Sequence, residues 1–187
     1  LTLFSEEFVD SLIDIPLVMP AYEVELKLLI DIEEDLEKLE FEYDDDLLEV
    51  DTDILSENTK TNGLEDKSIT IKITCLEDLD CDQYIDIYAY PKIASNASGE
   101  TVATDMVERK LAGRLKVLKN DETVRHEENF VLVGLWTATD PSLPTEYASF
   151  STEEKENLYK ALYQSLIVPI IEDTTLDLSE HPDFTNS

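Results

Sequence analysis

Tyr22-Glu23-Val24-Glu25-Leu26-Lys27-Leu28-Leu29-Ile30-Asp31-Ile32 is the stretch that decides the fold. Tyr22, Val24, Leu26, Leu28, Ile30 and Ile32 alternate with Glu23, Glu25, Lys27 and Asp31. A period of two over eleven residues belongs to a long strand with one face buried and one face wet. The pattern returns at once: Leu39, Phe41 and Tyr43 alternate with Glu40 and Glu42, and Asp44, Asp45 and Asp46 follow as a solvated turn. Leu47 to Leu55 is ambiguous, and 56–67, with Asn58, Asn62 and Gly63, reads as a polar loop.

Further along, Ile69, Ile71, Ile73 and Cys75 mark a third strand and Ile85, Ile87 and Ala89 a fourth. With only the acidic Cys75–Cys81 connection between them, the two read as a hairpin with a long turn. Tyr84, Asp86, Tyr88 and Tyr90 occupy the opposite face of the fourth strand. Pro91 to Gly99 is a loop of small residues, and 107–118 alternates again through Val107, Arg109, Leu111, Gly113, Leu115 and Val117. Asn120-Asp121 suits a turn. Phe130 to Ala138 is apolar on both faces, which predicts a central strand covered on two sides.

Helices flank the strands. Phe4, Phe8, Val9 and Leu12 recur at helical spacing behind a capping Ser5, and Pro16 and Pro20 end that element. Ser151-Thr152-Glu153-Glu154 spells a capping box, followed by Leu158, Ala161, Leu162, Ser165 and Leu166; Pro169 stops or kinks the helix. The leucines should cover one face of the sheet with Trp136 buried beside them. No pair of strands is separated by a helix that reads as a crossover, so the connections are expected to be antiparallel. The expectation is an α+β fold: a mainly antiparallel sheet of about five or six strands with an N-terminal and a C-terminal helix. One acidic domain over 1–173 and a flexible acidic tail over 174–187 complete it. No internal repeat is present.

The chain has 187 residues, 42% of them hydrophobic, enough for a packed core. Its charge is the unusual feature: 44 Asp+Glu against 14 Lys+Arg, a formal net of −30 and a pI near 4.1. Residues 1–66 hold 22 acids and 3 lysines; 67–187 hold 22 acids and 11 bases. Six of those bases, Arg109, Lys110, Arg114, Lys116, Lys119 and Arg125, form an island expected to meet acidic strands within the same sheet. Some of the crowded carboxylates in 31–53 are expected to titrate high, so that in low salt the fold is more stable near pH 5 than at pH 8 and added salt narrows the gap. Such a chain repels nucleic acid and anionic membrane and attracts basic proteins. No apolar run reaches the ~18–20 residues of a membrane helix, so a soluble protein is expected, with cytoplasm slightly favoured over other compartments. Because it begins at Leu1, the sequence reads as a processed or trimmed chain.

Motifs for chemistry are scarce. Cys75, Cys81, His126 and His181 lack zinc-ligand spacing. Asp78, Asp80 and Asp82 recur as calcium ligands do, but Gln83 and Ala89 stand where a calcium loop needs Gly and Glu, so the candidate is weak. Cys75 and Cys81 are spaced to close a small disulfide loop, and two free thiols fit as well. Asn96-Ala97-Ser98 matches a glycosylation acceptor. The four glycines form no phosphate loop and no nucleophile elbow. His126 reads as a surface residue and His181 falls in the tail. No catalytic residue and no cofactor is nominated.

What remains is surface. The expected function is a non-enzymatic, acidic protein-binding domain of inhibitor, adaptor or chaperone type, engaging a basic protein or peptide. Glu23, Glu25, Glu40, Glu42, Asp44, Asp45, Asp46, Tyr84, Tyr88 and Tyr90 are its candidate contacts. Outward acids on such strands stand ~6.8 Å apart, near the ~7 Å of two nucleotides, so imitation of DNA is an alternative. A structural or assembly part of a virion or cell surface is another. Neither direct nucleic-acid binding nor membrane insertion is expected.

Overall fold

The structure is a computed structural model that describes residues 1–12, 16–30, 36–52, 67–91, 109–136, 149–178 and 181. Its strands are β1 (Glu23–Ile30), β2 (Leu36–Glu42), β3 (Leu48–Thr52), β4 (Lys67–Cys75), β5 (Gln83–Pro91), β6 (Lys110–Val117), β7 (His126–Trp136) and β8 (Ile167–Asp177); its helices are α1 (Glu6–Ser11) and α2 (Thr152–Tyr163). The fold is α+β and mostly antiparallel. Contacts gather the chain into two compact units, where the sequence reads as one domain: Leu1–Ile13 with Pro20–Glu122, and Asp14–Met19 with Thr123–Ser187.

The first unit carries two three-stranded antiparallel sheets, ordered β1-β4-β3 and β2-β5-β6. Register follows from the period-two pattern. Val24, Leu26 and Leu28 stand opposite Ile73, Ile71 and Ile69, while Leu48 and Val50 stand opposite Cys75 and Ile73. In the other sheet Phe41 faces Ile87, and Ile85 faces Leu115. These rows meet in one core, where Leu48, Ile71, Ile73, Cys75, Leu79, Ile85 and Val117 are fully buried. A one-residue slip would put every acid of β1 into that core, so the register is strongly specified.

β4 and β5 belong to different sheets. The hairpin expected there is a crossing between layers, and Asn120 builds it. Its Oδ1 accepts the Leu79 N–H at 2.6 Å, and its Nδ2 donates to the Leu3 carbonyl at 3.0 Å and the Cys75 sulfur at 3.2 Å. α1 starts as expected, with the Ser5 hydroxyl accepting the Phe8 N–H at 3.1 Å. That hydroxyl also donates to Asp78.

The second unit corrects the expectation of purely antiparallel connections. β7 and β8 pair in parallel over their whole length, with α2 as the crossover between them. The helix ends at Tyr163, and Leu166, at φ 56°, turns the chain into Ile167-Val168-Pro169-Ile170-Ile171, a β-branched run that favours a strand. Thr174–Asp177, expected to open the tail, continue β8. Most of 179–187 lies outside the described residues, as do the stretch around Pro141 and Pro144 and the loops expected at 56–67 and Pro91–Gly99, except that Lys67 opens β4 and Pro91 ends β5.

The capping box forms: the Ser151 hydroxyl accepts the Glu154 N–H at 3.2 Å, and the Glu154 carboxylate accepts the Ser151 N–H at 2.7 Å. The buried stripe of α2 is Tyr159 and Tyr163, one position on from the expected Leu158 and Leu162, which are half-buried; the third expected leucine, Leu166, is buried but lies past the end of the helix. Trp136 is also half-buried. Nor is β7 covered on both sides, because Val131, Val133 and Leu135 are 57%, 41% and 47% exposed.

Candidate functional site

Alternation on β5 sends Ile85, Ile87 and Ala89 towards the core and leaves Tyr84, Asp86, Tyr88 and Tyr90 on the outer face. Their neighbours come from β2 and β6. Arg114 grips Asp86 with two bonds, at 2.5 and 2.7 Å, and its guanidinium lies 5.0 Å from the Tyr84 ring centroid. Arg109 reaches Glu42 at 2.6 Å and stacks 3.9 Å over Tyr88. Lys38 pairs with Glu40 at 2.9 Å and sits 4.2 Å over Tyr90. Lys116 takes Asp82 at 2.5 Å.

Of the six bases in the island, Arg109 and Arg114 meet acids on strands of their own sheet, Lys116 meets Asp82 just ahead of β5, and Lys119 pairs with Asp121 beside it. Cations lie on ring faces, where the quadrupole is negative, and beside carboxylates at once. Glu40 is held below the ordinary carboxylate range by hydrogen bonds from Tyr90 and Lys38. Asp86 is lowered by Arg114, and Asp82 by Lys116 and the Lys119 N–H. This face is rich in charge, but its charge is already matched.

The outer face of β1-β4-β3 differs. Register places Glu23 and Glu49 on either side of Thr74, and Glu25 and Asp51 on either side of Lys72. With adjacent strands ~4.8 Å apart, four exposed carboxylates share a small area with Lys72. That lysine bonds Glu23 at 2.6 Å, and the contact raises its pKa. Glu49 and Asp51 fall in the ambiguous stretch Leu47–Leu55, although Leu48 and Val50 alternate with them.

The ten candidate contacts thus fall in three places. Glu23 and Glu25 lie on this acidic face. Glu40, Glu42, Tyr84, Tyr88 and Tyr90 lie on the matched face of the other sheet. Asp44, Asp45 and Asp46 form the exposed turn that carries the chain from β2 to β3, where the Asp44 carbonyl accepts the Leu48 N–H at 3.0 Å.

Asp78, Asp80 and Asp82 do not converge. Asp78 takes Ser5, Asp82 takes Lys116, and Asp80 lies beside the Cys81 thiol. Among the described residues no three His, Cys, Asp or Glu gather as a metal ion would need. Cys75 and Cys81 form no bridge: both are free, one buried and one exposed. Burial pushes the Cys75 thiol up to about 11. His126 is exposed at the head of β7, and Asn96 lies outside the described residues. No described helix is long and apolar enough to cross a membrane.

No family model matches the chain, and no curated protein and no solved structure shows significant similarity to it. The functional reading therefore rests on the surfaces alone.

Proposed function

We propose that this chain is a non-enzymatic, acidic protein-binding domain whose partner presents a basic surface, and that the outer face of β1-β4-β3 is the contact. The observation that carries the reading is the set Glu23, Glu25, Glu49 and Asp51 around Lys72. Carboxylates that lack equal countercharge in their own sheet gain most from a partner's lysines and arginines. Their unscreened field also speeds the encounter. The tyrosine-bearing face supports the reading less, since Arg109, Arg114 and Lys38 already occupy its acids.

The test uses a lysine-rich decapeptide as probe and measures association at two salt concentrations. The Debye length shrinks from ~30 Å at 0.01 M to ~8 Å at 0.15 M, so the rate should fall steeply between them. Glu25→Lys with Asp51→Lys should slow it far more than Glu40→Lys with Glu42→Lys. Rates indifferent to salt, or equal effects of the two pairs, would remove this face from the account.

A further inference from the structure

Register decides what stands on each face of the parallel pair in the second unit. Residues opposite one another across the ladder send their side chains to the same side. Phe130 and Leu132 therefore share one face with Ile171 and Asp173. Lys155 of α2 bonds Asp173 at 2.5 Å, so the helix lies over that face, where Phe130, Leu132 and Ile171 are half-buried. Val131, Val133 and Leu135 stand on the other face, with Ile170 and Leu176 of β8. Ile170 and Leu176 are 45% and 48% exposed, as open as their β7 neighbours. Parallel strands are found chiefly where both faces are covered. Here α2 covers one and the other is open to solvent. An apolar patch of this kind with a polar rim marks an interaction site.

Length and charge say what fits the open face. From Ile170 to Leu176 the apolar row runs about 20 Å, at ~3.3 Å per strand residue. A helix of about 13 residues has that length at ~1.5 Å per residue. α2, on the opposite face, has 12 residues. Among the described residues of the open face the charged ones are Glu127 and Glu172; no lysine or arginine stands there. A second copy of the chain would bring the same two glutamates, and a further net charge of −30, against them. Like charges set opposite one another suppress such a pairing, whereas lysines or arginines beside an apolar stripe complete it.

We propose that the open face of β7-β8 docks a basic amphipathic helix of a partner protein. Its apolar stripe lies on Val131, Val133, Leu135, Ile170 and Leu176, and its lysines or arginines stand beside Glu127 and Glu172. Burial of the stripe gives affinity, and charge at the rim orients the helix. The parallel pair is then enclosed between two helices, α2 and the partner's. The site uses none of the residues of the acidic face of β1-β4-β3 and gains from apolar burial as well as charge, so either stands if the other fails.

The experiment titrates a fluorescent, N-acetylated peptide of about fourteen residues into the protein at 0.15 M salt. Its leucines recur at i, i+3, i+4 and i+7, with lysines on either side of that stripe. Anisotropy should saturate, the peptide should gain helical circular dichroism, and the methyl resonances of Val131, Val133 and Leu135 should shift. The same residues in an order that forms no stripe should bind at least tenfold more weakly. Val131→Thr with Val133→Thr keeps β-branched side chains at exposed positions, leaves the fold intact, and should weaken binding at least tenfold. Glu172→Lys should weaken the lysine-flanked peptide and strengthen the same stripe flanked by glutamates. Glu25→Gln with Asp51→Asn, which disarms the acidic face, should change helix binding less than threefold. The proposal is overturned if the striped peptide does not bind, if the reordered peptide binds equally, or if the threonine pair or Glu172→Lys changes nothing. Loss of binding in the Glu25 and Asp51 pair would overturn it too, and would give the peptide to the acidic face. Dimerisation that the threonine pair abolishes, without peptide binding, would overturn it in favour of a second copy.

Discussion

Asn120 is fully buried, and three of its hydrogen bonds hold Leu79, Leu3 and Cys75 at the crossing between the two sheets. Alanine there would strand the Leu79 N–H and the Leu3 carbonyl without water to replace the amide. Each orphaned group costs ~1–3 kcal/mol, so Asn120→Ala should destabilise by about 3 kcal/mol in chemical denaturation. A loss under 1 kcal/mol would show that the crossing holds without it. Cys75 supplies a second residue-scale outcome. Its thiol has no exposure and is pushed up to about 11, whereas Cys81 is open to solvent. Iodoacetamide at pH 8 should label Cys81 alone, and mass spectrometry after digestion reads the site. Modification of Cys75 in folded protein would contradict its burial. The sequence offers no sign of the Asn120 hub, since one asparagine before an aspartate looks like any turn.

Among the elements, the strands whose one face is wet were readable because burial writes itself as alternation. β1, β2, β4, β5 and β6 all carry that pattern, and all five are present. Which strand pairs with which was not readable, because an alternating strand buries the same face in either sheet. β4 and β5 show the consequence. The second unit was hidden for a different reason: Leu158, Leu162 and Leu166 share helical spacing with the true stripe, Tyr159 and Tyr163. What selects the tyrosines includes a polar contact that no spacing reveals. Tyr163 donates its hydroxyl to the Val18 carbonyl at 2.8 Å, and burial pushes its pKa up to about 12. Tyr163→Phe should therefore cost about 1 kcal/mol. Leu162→Ala, at a half-buried position, should cost less than the ~2–5 kcal/mol of a true core leucine. Denaturation midpoints decide, and a loss above 3 kcal/mol at Leu162 would restore the leucine stripe. Part of the acidic face was legible through Glu23 and Glu25. Its other half needed β3, whose five residues are too few for alternation to stand out.

For the whole molecule, a net charge of −30 suggests a fold strained by repulsion and relieved by acid. The carboxylates with strong partners argue the reverse. Glu40 is lowered by Tyr90 and Lys38, Asp82 by Lys116, Asp86 by Arg114, and Glu154 by the Ser151 cap. Glu40 lies within the 31–53 stretch expected to titrate high, and its shift is downward. A carboxylate whose folded pKa lies below its unfolded value adds stability above the unfolded pKa. That contribution disappears as pH falls through the folded value. All four groups act in this direction, against the gain in stability from pH 8 to pH 5 that crowding alone would give. In 0.15 M salt, which screens the long-range repulsion, the melting temperature should hold between pH 8 and about 5. It should then fall below about pH 4, where ordinary carboxylates protonate. Asp86→Asn, which removes the partner of Arg114, should flatten part of that acid limb. A melting temperature that rises steadily from pH 7 to 3.5 would mean that the repulsion among the remaining acids outweighs these pairs.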